Sequence, residues 1–110
     1  ENVPMISIEG LMVGSNILPV TERFSIPGSP EVGESALEVL HGNPDLRGLL
    51  LLNHGLITIG ESLIDAMNLA ESIELEAQVY YQARMLGTPR LISEEQRKTI
   101  VNNYMKGKLK

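Results

Sequence analysis

Leu49-Leu50-Leu51-Leu52-Asn53-His54-Gly55-Leu56-Ile57-Thr58-Ile59-Gly60 is the stretch on which the fold turns. Four successive leucines call for burial, and Leu-Ile-Thr-Ile resumes the apolar run after Asn-His-Gly. Two short apolar segments around a polar, glycine-bearing corner read as two strands joined by a tight bend. Gly55 is the residue expected to take φ > 0 there, because it has no Cβ to resist. His54, set between two buried strands, is expected to be held in one orientation by its neighbours. From the residues alone a fixed imidazole fits three roles: a metal ligand, an acid/base, or a turn residue with a satisfied ring. A zinc site needs three or four converging ligands. No other histidine or cysteine stands at ligand spacing from His54, so the residues by themselves favour the turn reading.

Downstream of the bend, residues 62–86 form the longest predicted element. Ser62 and Asp65 stand three apart, a variant of the capping box. Leu63, Met67, Ala70, Ile73, Ala77, Tyr80 and Tyr81 recur at three- and four-residue steps and are read as the buried face of a helix. Gly87 and Pro89 close it. Glu71, Glu74 and Glu76 resemble a carboxylate cluster, but no Glu-x-x-His partner accompanies them, and they are read as a solvated face. A last helix starts at Ser93, again three residues before a capping partner, Gln96. Ile100, Val101 and Tyr104 form its apolar stripe, on which Tyr104 packs in the residue-level reading. Lys106, Lys108 and Lys110 make a basic tail.

Upstream, residues 3–8 read as an edge strand and residues 17–21 as another, with Pro19 restricting the second to an edge or bulge. Leu11-Met12-Val13 is a short apolar patch between Gly10 and Gly14. Ser29 and Pro30 are placed as N-cap and first residue of a helix. Val32, Ala36, Val39 and Leu40 share one face of it, and Gly42-Asn43-Pro44 ends it. His41 lies in the last turn, where a protonated ring favours the negative end of the helix dipole.

Composition sets the outer limits. A chain of 110 residues is one domain or a piece of one. The net charge of −5 argues against a nucleic-acid-binding face. With no cysteine there is no disulfide and no thiolate metal site, which fits a reducing cytoplasm. No apolar run reaches the roughly 20 residues of a membrane-spanning helix. No phosphate loop, dinucleotide fingerprint or serine nucleophile elbow occurs. The chain opens on Glu1 rather than Met, which is expected of a piece of a longer or split polypeptide.

Three stretches together resemble the class II aldolase/adducin family. They are Leu18-Pro19-Val20 followed by Pro27-Gly28-Ser29-Pro30-Glu31, the Asn53-His54-Gly55-Leu56 corner with its flanking leucines, and the helix from Ala66 to Leu86. Order and spacing resemble the second half of that domain, over residues 15 to 95, with the two ends outside the match. The resemblance implies an α/β fold, residues 1–110 being the C-terminal part of a three-layer α/β/α domain with a mostly antiparallel central sheet. It implies a lyase: a sugar-phosphate aldolase in which a divalent metal, zinc as a rule, is held by three histidines and stabilises an enediolate. His54 would be the third metal ligand. The other two form a His-x-His pair that the family places upstream, shortly before Glu1, together with an acidic base. Residues 1–110 alone are therefore expected to be inactive. Phe24 stands where many aldolases carry a substrate-facing Tyr. Tyr104 is the one candidate for the tail tyrosine that transfers a proton in a neighbouring subunit. A C4 homotetramer and a sugar-phosphate substrate are implied as well, while a cytoplasmic location and no nucleic-acid or membrane partner are the expectations from composition and charge. A related epimerase or dehydratase, or an adducin-like binding module without metal, are the alternatives.

Overall fold

The computed structural model describes residues 2–108, and the side chains of residues 2–104. Lys110 and the side chains of Lys106 and Lys108 lie outside the described residues. The corner does form a hairpin: β3 (Gly48–Leu51) pairs antiparallel with β4 (Gly55–Thr58), with Leu51 opposite Gly55 and Gly48 opposite Thr58. A second antiparallel pair joins β1 (Val3–Pro4) to β2 (Ile17–Leu18). The two pairs meet through one parallel bridge between Val20 and Leu50. The expected strand over residues 17–21 is thus split at Pro19. Proline has no N–H to give a ladder, but its carbonyl accepts from the Leu50 N–H at 2.8 Å.

Among the described residues three α-helices accompany the strands: α1 (Pro30–His41), α2 (Leu63–Leu86) and α3 (Glu94–Lys108). α1 packs on β3, and α2 packs on β4, β1 and the 3-10 helix Glu9–Val13. That 3-10 turn is what the Leu11-Met12-Val13 patch becomes, with Leu11 and Val13 fully buried. Together with Met5, Leu18, Leu46, Leu49, Leu69 and Ile73 they form an aliphatic core. Gly48 belongs in this core for lack of a side chain: a Cβ there would sit 2.8 Å from Val13 Cγ2 and 2.9 Å from Ile73 Cδ1.

The helix starts test the capping readings individually. The Ser93–Gln96 box is complete, with Gln96 N–H donating to Ser93 Oγ at 3.1 Å and Ser93 N–H donating to Gln96 Oε1 at 3.0 Å. Ser62 Oγ accepts from Asp65 N–H at 3.1 Å. Ser29 occupies the N-cap position of α1, but its hydroxyl caps nothing and donates instead to Ile26 O at 2.6 Å.

α2 departs from its expected face. Leu69, Ile73 and Glu76 are its buried residues, whereas Leu63 and Met67 are exposed. Ile64, Leu75, Tyr81, Met85 and Leu86 are exposed too, so the helix is apolar on both sides and its periodicity selects neither. Glu76 is not on a solvated face. It is 2% exposed and its carboxylate accepts from the N–H groups of Ile6 and Ser7 and from the Ser7 hydroxyl. Gly10 leaves room for it, since a Cβ there would lie 2.7 Å from Glu76 Cδ.

Candidate metal centre

His54 ends a three-residue turn, Leu52-Asn53-His54, between β3 and β4. Its N–H donates to Leu51 O at 3.0 Å. The residue with φ > 0 is Asn53, at 53°, and not Gly55 as the sequence suggests. The His54–Leu51 hydrogen bond closes a four-residue β-turn from Leu51 to His54, and a positive φ at its third residue, Asn53, matches the type II arrangement, where Asn is tolerated after Gly. Gly55 instead begins β4, with open space where a Cβ would point.

The turn is pinned from the side by the segment after β2. Thr21 is buried; its N–H donates to Leu50 O at 2.9 Å, and its Oγ1 accepts from Leu52 N–H at 2.9 Å. Beside the turn lies a shallow pocket of about 10 Å³, lined by Thr21, Arg23, Ser25, Ser35, Leu52 and His54 among others. That is room for roughly one water. Ser25 and Ser35 hydroxyls stand 3.1 Å apart, and Ser35 Oγ donates to Glu31 O at 2.8 Å. Arg23 makes a two-pronged ion pair with Glu38 of α1, at 2.9 and 3.1 Å, which raises the guanidinium pKa further and ties the loop to the helix. Phe24 is half exposed, so no hydroxyl is offered from that position.

The His54 ring is exposed rather than clamped by leucines; what the fold fixes is its backbone. No hydrogen bond engages either ring nitrogen among the described residues. Nor does any group of three His, Cys, Asp or Glu side chains come together there as a metal site. The chain thus offers one imidazole of suitable donor chemistry, with both nitrogens uncommitted, and not a complete ligand set.

Tyr104 stands elsewhere. It lines a larger cleft of about 730 Å³, together with Met12, Arg47, Asp65, Asn68 and Arg97. The two cavities share no residue, so within one chain His54 and Tyr104 are not brought together. At that cleft the buried Arg97 guanidinium hydrogen-bonds Glu94 and holds its carboxyl below the usual carboxylate range. Thr21 and Glu76 are the structurally consequential polar residues that the sequence did not single out correctly. Their partners are 31 and 69 to 70 positions away, beyond any local pattern.

The class II aldolase and adducin N-terminal domain model matches residues 1–81. The chain belongs to the class II aldolase/adducin family. The matched span includes the N-terminal end, which the sequence resemblance had set outside it, and stops short of α3. A 5-deoxy-D-ribulose 1-phosphate aldolase of Bacillus thuringiensis serovar kurstaki is 35% identical over 77 residues, covering 70% of this chain and 35% of that protein. The structure of an L-fuculose 1-phosphate aldolase superposes with a TM-score of 0.84 at 24% identity, over 96% of this chain and 47% of the other. That likeness shows a shared fold of helices with antiparallel strands. The chain spans about a third of the length of the curated relative and about half of the structural one. No helix among the described residues is long and apolar enough to cross a membrane.

Proposed function

We propose that residues 1–110 are the C-terminal part of a divalent-metal-dependent sugar-phosphate aldolase, and that His54 is one of its metal ligands. The observation that carries this reading is the exposed His54 imidazole, both nitrogens uncommitted, on a backbone turn fixed from two sides. The similarity to proteins named as aldolases of two sugar phosphates supports the reaction class. Zinc suits a neutral imidazole, and when bound it supplies Lewis-acid polarisation of the substrate's oxygens. The chain's own part is to present the His54 ring at the tip of a rigid hairpin and to leave space beside it. The two remaining ligands, a His-x-His pair, and the acidic general base belong to polypeptide outside these 110 residues, so this chain by itself is inactive. Tyr104 acts as proton-transfer group toward the site of a neighbouring subunit in a cytoplasmic homotetramer, which accords with its lining a different cavity from His54 within one chain.

The test is metal content. The complete protein purified without chelator is expected to carry about one divalent ion per chain by elemental analysis, and His54→Ala is expected to lose it together with cleavage of sugar phosphates. A parent protein free of bound metal, or a His54→Ala variant that keeps a full complement, overturns the assignment and leaves a metal-free binding module of the adducin kind.

A further inference from the structure

We infer that Thr21 is a positioning residue for His54, acting through the turn backbone; the inference rests on the metal reading above. The β3–β4 ladder ends at the Leu51–Gly55 pair, so Leu52 is the first residue of the turn with no ladder partner. Its N–H is taken by the Thr21 hydroxyl oxygen at 2.9 Å. Thr21 is well placed to hold it. The residue is 4% exposed, and its own N–H is anchored on Leu50 O at 2.9 Å. Its hydroxyl proton points to Arg23 O at 3.4 Å, which leaves a lone pair for Leu52. The side chain thus extends the parallel Val20–Leu50 contact by one more hydrogen bond, past the end of the strand and into the turn.

From there the chain has little freedom. Leu52 is held by Thr21, Asn53 sits in the left-handed region, and His54 N–H closes on Leu51 O. Valine at position 21 keeps the shape and the β-branch but has no oxygen. The Leu52 N–H then faces the small pocket, where a water can satisfy it without fixing its direction. The imidazole remains present and loses its aim.

In the complete protein, Thr21→Val is expected to bind zinc roughly ten-fold more weakly in competition with a chelator, the lower end of what losing a supporting group around a metal site costs. Amide exchange at Leu52 is expected to accelerate in the same variant. Thr21→Ser, which keeps the oxygen, is expected to restore both. Thr58→Val is the control: it removes a hydroxyl bond of 2.8 Å to Ala66 O at the far end of the same hairpin, and zinc affinity should not change. Zinc binding as tight in Thr21→Val as in the parent overturns the role, as does equal weakening in Thr58→Val. If Thr21→Val does not fold, a Leu52 amide that exchanges freely in the parent protein overturns it as well. His54→Ala separates the two claims: if it retains zinc, the metal reading fails; if it alone loses zinc, only the role of Thr21 fails.

Discussion

His54 and Glu76 are both polar residues set among apolar neighbours, and the fold uses them in opposite ways. Glu76 is buried, with both carboxylate oxygens engaged by three donors from residues 6 and 7. His54 is out in solvent with its backbone fixed and its ring uncommitted. A buried polar group must spend its hydrogen-bonding capacity on its surroundings, or it costs stability. An exposed one on a rigid mount can keep that capacity for something that arrives later. By this criterion Glu76 belongs to the architecture and His54 is available for the proposed metal role, although the sequence presents the glutamate as solvated and the histidine as a turn residue.

Substitutions at four positions test the contrast. The largest effect is expected from Glu76→Ala, which leaves two backbone N–H groups and a hydroxyl without their acceptor in a part-buried region. A loss of about 3–5 kcal/mol is expected from such unsatisfied donors, measured by chemical denaturation. A loss below about 1 kcal/mol would mean that water replaces the carboxylate and that the two residues are alike after all. Asn53→Val comes next, at about 1–2 kcal/mol, because a β-branched residue resists the left-handed region. Asn53→Gly is expected to stay within about 0.5 kcal/mol. Were Gly55→Ala to cost more than Asn53→Val, the turn would be using its glycine and not its asparagine. His54→Ala is the smallest: thermal melting of the metal-free protein should register a change within about 0.5 kcal/mol. A fall of 2 kcal/mol on the same rough scale would place the ring among packed residues and remove the contrast.

The features that could be read from the sequence are those whose causes are local. The hairpin follows from two apolar runs and a polar corner, and its strands lie within one residue of where Leu49–Leu52 and Leu56–Ile59 put them. The ends of α2 follow from Ser62 and Gly87, and the start of α3 from the Ser93–Gln96 box. The inward face of α2 could not be read, since Leu63, Met67 and Leu75 on one side are as apolar as Leu69 and Ile73 on the other. Nor could Glu76, whose partners lie near the opposite end of the chain, or Thr21, which meets Leu52 only after β2 and β3 have come together. At the candidate site the histidine itself was legible as a feature of the corner. Which residue takes the strained φ was not, because Asn and Gly compete for that position on similar terms.

The outward side of α2 bears on how the protein behaves in the test tube. Leu63 and Leu86 are 90% and 93% exposed, and Ile64, Met67 and Met85 lie bare between them. Oily surface of that extent, near a hairpin whose strand β4 pairs only with β3 among the described residues, favours self-association. Preparations of this stretch by itself are therefore expected to clump as concentration rises, and mild detergent or a covering partner to keep them dispersed.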